Sequence, residues 1–180
     1  MNNEEELKSL ANTSTFLGEG RNGRVFLMPD GMVLKLCKKT QNCIDESNIL
    51  KKVKGNKHFP VLKESGDSYM IRAYVGGKCL SEYIKENGLS QRLALNLIKL
   101  IEDFKKLNFT KLDMRCQHIF VQKDESVKVI DPRGHYRKKV DYPQQMLEGI
   151  KKLGALDKFL YVLRKKRPRL YKQWKKYIEG

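Results

Sequence analysis

Two aspartates interrupt otherwise apolar stretches, in Leu112-Asp113-Met114 and in Val129-Ile130-Asp131. A carboxylate at a strand end is a natural ligand for a hard divalent cation such as magnesium. Lys35 ends the run Val33-Leu34-Lys35. A lysine flanked by apolar residues is held near a sheet and can serve as a point charge for phosphate. Upstream, Gly18-Glu19-Gly20-Arg21-Asn22-Gly23-Arg24-Val25 carries GxGxxG spacing. A dinucleotide site would need a helix after it, but Arg24-Val25-Phe26-Leu27-Met28 reads as a strand. Glycines between two strands let the backbone close over phosphates, with amides donating to their oxygens. Taken singly, each feature has a plainer reading: a hairpin turn, an edge-strand lysine, a turn or cap aspartate. Glu46 follows on a helix, placed to pair with Lys35, and neighbouring Asp45 is a rival for that role.

These residues need elements to hold them. Residues 14–28 read as two short strands around the glycine-rich turn, and Pro29-Asp30-Gly31 is a turn signal before a third strand, Met32 to Cys37. Ile44, Ile49, Leu50 and Val53 suit a helix from Cys43 to Val53. Strands around Val61–Glu64 and Tyr69–Tyr74 lead to Gly76-Gly77. The first 75 residues are thus expected to be mostly sheet with one helix. The pattern then becomes helical. Ser90 can cap a helix whose apolar positions Leu93, Leu97, Leu100, Ile101, Phe104 and Leu107 recur at helical spacing. Ile119–Val121 and Val127–Ile130 look like a short hairpin. Gly154 can end one helix and Pro168 begin the last, in which Leu170, Trp174 and Ile178 share a face. The expected architecture is α+β, with a small antiparallel-sheet N-lobe, a double-glycine hinge and a mainly helical C-lobe around a cleft where a small ligand would bind.

The 180 residues suit one domain or two small lobes. No run of eighteen apolar residues is present, and the opening MNNEEELKSL is acidic where a secretory signal would be basic and then apolar, so no membrane span and a cytoplasmic location are expected. Cys37, Cys43, Cys79 and Cys116 form no CxxC pair and read as reduced thiols. The net charge of +16 is uneven: residues 133–180 hold 15 Lys/Arg against 4 Asp/Glu. Such a region points to an anionic partner, RNA or an acidic protein, or else to a solvated helix face.

Together the motifs resemble the eukaryotic-type serine/threonine protein kinases, in that family's order: glycine-rich loop, strand lysine, helix glutamate, catalytic loop, metal-binding aspartate. Glu46-Ser47-Asn48-Ile49-Leu50 is similar to the family's ExxIL helix, and Tyr69-Met70-Ile71-Arg72-Ala73-Tyr74-Val75-Gly76-Gly77 to the strand and hinge that hold adenine. The likeness covers roughly residues 14–134. Several positions depart from the pattern. HRD stands as Lys111-Leu112-Asp113, His118 replaces the asparagine that binds a second magnesium, and DFG stands as Asp131-Pro132-Arg133. No APE motif follows, and 46 residues remain after Gly134, too few for the usual peptide-docking platform. Such trimming resembles minimal bacterial and atypical members, like the RIO, KEOPS-complex and lipopolysaccharide kinases.

The resemblance implies a single kinase-like domain over residues 1–180, with an N-lobe about 12–75 and a C-lobe about 78–180. It implies ATP, with Mg2+ or Mn2+, and phosphate transfer to a protein or small hydroxyl substrate. Leu17, Gly18, Gly20, Gly23, Val25, Lys35, Glu46, Ala73 and Val75 would surround ATP. Asp131 and His118 would hold metal. Asp113 would be the base, with Arg115 facing the γ-phosphate and Lys35 completing the catalytic set. Two other classes fit the departures: a non-catalytic nucleotide-binding module, and an RNA- or ribosome-associated ATPase using the basic C-terminal region.

Overall fold

A computed structural model describes residues 4–178. The chain divides into two compact units: residues up to Val75 together with Asp131–Arg133, and the remainder. The class is α+β. Among the described residues, no helix is long and apolar enough to cross a membrane.

The first unit is built on a five-stranded antiparallel sheet in the order β1-β2-β3-β5-β4, with β1 Thr15–Gly20, β2 Gly23–Leu27, β3 Met32–Cys37, β4 Leu62–Ser65 and β5 Tyr69–Ala73. The β2–β3 turn closes as its residues predict. Gly31 adopts φ 80°, and the Asp30 carboxylate accepts the Met32 amide at 3.0 Å. Directly opposed residues share a sheet face. Val25, Lys35 and Met70 therefore form one row, and Leu27, Val33 and Arg72 the next. The opposite face carries Phe26, Leu34 and Ile71, which pack with Tyr69 against Leu7 and Ala11 of α1 (Glu4–Asn12).

Helix α1 is absent from the sequence expectation, so this unit holds two helices instead of one. Leu7, Leu10 and Ala11 offer less than two turns of apolar repeat, too short a signal to read. The second helix, α2, runs from Thr40 to Lys52, three residues earlier than expected. Its buried stripe is Cys43, Glu46, Ser47, Ile49 and Leu50. Helical period places Glu46 between Cys43 and Leu50 on the inward face and leaves Asp45 half-buried beside it. Cys37 at the end of β3 and Cys43 in α2 form a disulfide, with Cα atoms 5.8 Å apart. The expectation of four reduced thiols therefore holds for Cys79 and Cys116 alone. Spacing along the chain carried no sign that strand and helix would bring these two together.

The second unit has a small sheet, β6 Lys78–Cys79, β7 Ile119–Val121 and β8 Val127–Val129, and helices α3 Leu80–Asn87, α4 Gln91–Lys106, α5 Gln144–Lys152, α6 Leu156–Lys166 and α7 Pro168–Ile178. Ser90 caps α4 as expected, its hydroxyl accepting the Leu93 amide at 2.9 Å. Leu93, Ala94, Leu97, Ile98, Leu100, Ile101 and Phe104 of α4 are buried, and α6 packs against this helix. Gly154 ends α5 with φ 69°, and Pro168 opens α7, which buries Leu170 and Trp174. Gly77 has φ 87° and lies so close to β7 that a Cβ there would overlap the Val121 carbonyl oxygen.

Candidate functional site

In the first unit, Lys35 is only 2% exposed. Its ammonium donates to Glu46 Oε2 at 2.6 Å and to Asp131 Oδ1. The strand lysine, the helix glutamate and the second aspartate are thus brought into one buried cluster, and Glu46, not Asp45, is the partner of Lys35. Asp131 reaches Lys35 from a left-handed backbone, φ 54°. Non-glycine residues seldom adopt it, though aspartate tolerates it better than most.

Burial dominates the electrostatics of Glu46. Its carboxyl is pushed up to about 6, first by burial and then by the Asp131 charge, while the Lys35 charge and hydrogen bond and the Arg72 charge pull the other way. Arg72, a residue sequence reasoning passed over, is 4% exposed in the row next to Lys35. Burial lowers its pKa, opposed by the charges of Glu46 and Asp131. Its Nη1 donates to the Ala73 carbonyl at 3.0 Å. Glu46 Oε1 and Arg72 Nε are buried without a hydrogen-bond partner. The signal was present in the string Tyr-Met-Ile-Arg-Ala, where one cation breaks an apolar strand.

The glycines of the first motif separate into two kinds. Gly18 and Gly20, in β1, have open space where a Cβ would stand. Gly23 is buried and opposes Cys37 across the β2–β3 ladder, and a Cβ there would overlap the Leu36 carbonyl oxygen. The third glycine is therefore required by close strand packing. Leu17 is exposed, Val25 is half-buried beside Lys35, and Val75 is buried just beyond β5.

The second unit holds Asp113, Arg115 and His118. Asp113 is 2% exposed, and its carboxylate sits at the start of α5. Oδ1 accepts the Gln145 amide at 3.0 Å and the Met146 amide at 3.4 Å; Oδ2 accepts the Gln145 side-chain amide at 2.9 Å. An anion at a helix N-terminus satisfies orphan amides and meets the positive end of the helix dipole. Gln145 also accepts from Arg115 Nε at 2.7 Å, so one side chain bridges Asp113 and Arg115. Nothing in the sequence marked Gln145, which lies 32 residues beyond Asp113. His118 closes a 3-10 turn, Cys116–His118, and its carbonyl accepts the Ile130 amide at 2.9 Å.

No family model matches the chain. It is similar to the Bacillus subtilis (strain 168) protein named "Putative serine/threonine-protein kinase YrzF", with 23% identity over 133 residues. The similarity takes in 71% of this chain and 62% of that protein's length. At that identity the likeness is a distant one, and this chain spans less than two thirds of that protein's length.

Among the described residues, no group of three or more His, Cys, Asp or Glu side chains could by itself hold a metal ion. In the basic C-terminal region, Arg164, Lys165, Lys166 and Arg169 are exposed. Arg167 is not simply part of that surface, since it grips Glu102 of α4 with Nε at 2.6 Å and Nη2 at 3.2 Å.

Proposed function

We propose that the chain is a protein-kinase-like phosphotransferase that takes the γ-phosphate of a nucleoside triphosphate, ATP by the family resemblance, and passes it to a hydroxyl acceptor. The observation that carries this reading is the buried Lys35 held between Glu46 and Asp131. A lone buried ammonium would be strongly destabilising. Two carboxylates pair with it and hold it in place, which is what a phosphate anchor requires. The open space at Gly18 and Gly20 lets the β1–β2 turn lie close to phosphate oxygens.

In the reaction, the acceptor oxygen bonds to the γ-phosphorus as the bond to the β–γ bridging oxygen breaks, and the diphosphate leaves. Lys35 holds the α- and β-phosphates, with Glu46 orienting it. Asp131, with His118 as the second expected ligand, would hold the divalent ion, which when bound offsets charge on the β- and γ-phosphate oxygens. The donor chemistry fits, because Asp131 offers hard oxygens and its carboxylate already faces a cation. An imidazole ligand favours manganese over magnesium. Arg115 would face the γ-phosphate. Asp113 would orient the acceptor hydroxyl and take its proton.

A second reading, a nucleotide-binding module without transfer, is favoured by the engagement of Asp113 at the start of α5. Incubation with γ-labelled ATP and magnesium or manganese separates the two. The kinase reading expects label on the protein or on a lysate acceptor, lost in Lys35→Met. Thermal stabilisation by ATP without any turnover would favour the module. No stabilisation at millimolar ATP would refute both, since a ligand well above its dissociation constant must stabilise the fold.

A further inference from the structure

The phosphotransferase reading makes no use of α6 and α7. Residues 151–178 hold eleven Lys/Arg against one acid, Asp157. The two helices pack together and are joined by Arg167 alone, whose grip on Glu102 fixes the corner. Each buries one side, Phe159, Val162 and Leu163 on α6 and Leu170 and Trp174 on α7. The opposite sides are exposed. There Lys158, Tyr161 and Lys165 recur at helical spacing along α6, and Arg169, Lys172 and Lys176 along α7. Like charges this close repel, and the local sequence supplies almost no acid to offset them. Two aromatic rings stand among the cations. Tyr161 is 50% exposed, with the Lys165 ammonium 5.9 Å from its ring centroid. Tyr177 is 40% exposed and stacked on Tyr142 at 4.2 Å with 3° between the ring planes, and the Lys176 ammonium lies 4.8 Å from its centroid.

We infer that the exposed sides of α6 and α7 bind single-stranded nucleic acid, with the lysines and arginines on the phosphates and a base on each of Tyr161 and Tyr177. The charge calls for a polyanion, and the rings narrow its class. An acidic peptide would meet the charge and leave the rings unused. A duplex keeps its bases stacked on one another, out of reach of a side chain that offers only a ring face. An unpaired base has a free π-face, and stacking on an aromatic side chain holds it with little regard to sequence. The lysine over each exposed ring is held there by a weak cation–π contact at the water interface. Its flexible stem lets the ammonium move to a phosphate as a base takes its place on the ring. On Tyr177 that base would add a third plane to the stack with Tyr142. The surface lies wholly within the second unit and uses none of Lys35, Glu46 and Asp131, so it stands or falls apart from the nucleotide site.

The test is fluorescence anisotropy of the whole chain with labelled oligouridylate and oligothymidylate of about twelve nucleotides. The comparison probes are an abasic strand with the same number of phosphates, a duplex of the same length and an oligoglutamate. The single strands should bind about fivefold or more tightly than the abasic strand, since stacking contributes at least that much per base. Tyr161→Leu and Tyr177→Leu should each weaken them about five- to a hundredfold and leave the salt slope and the abasic strand's affinity unchanged. Tyr161→Phe and Tyr177→Phe keep the rings and should keep the affinity. Replacing Lys165, Lys172 and Lys176 together by glutamine should instead flatten the slope of log affinity against log salt by about 2, at roughly 0.7 per phosphate contact. If a leucine variant fails to fold, the wild-type preference for strands with bases still decides the matter. Binding of one single strand and not the other supports the inference and names the sugar. Equal binding of the abasic strand overturns it, as does tighter binding of the duplex or of the oligoglutamate. Leucine variants that bind like the wild type overturn it too, and so does the absence of binding to both single strands at low salt.

Discussion

Replacing Glu46 by glutamine removes one ionisable proton and almost nothing of the shape. The Glu46 carboxyl is raised from 4.5 to about 6 in the folded protein, chiefly by burial. At 1.36 kcal/mol per unit, that is about 2 kcal/mol of linkage between folding and protonation. The folded pKa lies above the unfolded one, so the folded state binds the proton more tightly. The favourable contribution is therefore complete below 4.5 and is lost as pH rises through 6. The E46Q variant has no such proton to bind. The stability of the wild type relative to E46Q should consequently grow by most of about 2 kcal/mol as pH falls from about 7.5 to 4.5. Urea denaturation of both proteins across that range reads the difference. The repulsion expected of a chain with net charge +16 is nearly common to the two and largely cancels. A difference that stays flat would show that Glu46 is better solvated than its burial implies. A difference that grows toward high pH would show that pairing with Lys35 outweighs desolvation, and the argument would fall.

Gly23→Ala should destabilise the fold by about 3 kcal/mol or more, since its Cβ would overlap the Leu36 backbone. Gly20→Ala should stay within about 0.5 kcal/mol and weaken only nucleotide affinity, and equal losses in urea would refute the distinction between the two glycines. Asp113→Asn replaces an acceptor by a donor opposite the Gln145 amides, at a cost of about 2 kcal/mol. An unchanged denaturation midpoint would mean that Asp113 does not anchor α5. Reducing the Cys37–Cys43 disulfide, whose partners are six residues apart, should cost about 2 kcal/mol by loop-closure entropy. The Cys37→Ser/Cys43→Ser variant should be indifferent to reductant, and a wild type equally indifferent would count against the bond.

Much of the architecture was readable because it rests on local rules. The Pro29-Asp30-Gly31 turn, the Ser90 cap, the Gly154 stop and the Pro168 start each depend on one or two residues and the dihedrals they allow. The strand that carries Lys35 follows from the turn before it, and the repeat of α4 from a period of 3.6. The pairing of Lys35 with Glu46 could be anticipated to the point of a choice between Glu46 and Asp45. The helical phase set by Cys43 and Leu50 then turned Glu46 inward.

Tertiary structure alone decided the rest. Gln145 meets Asp113 across 32 residues, Asp131 meets Lys35 across 96, and Arg167 meets Glu102 across 65. Cys37 and Cys43 lie near each other in sequence, yet they bond only because α2 turns back toward the end of β3. Arg72 reads in the sequence as a flaw in an apolar strand, and in the fold the charges of Glu46 and Asp131 partly oppose the effect of its burial. Composition and period report which residues seek the interior. Which buried charge faces which depends on how separate elements pack, because Coulomb energy follows distance in space and the local dielectric, and separation along the chain enters neither.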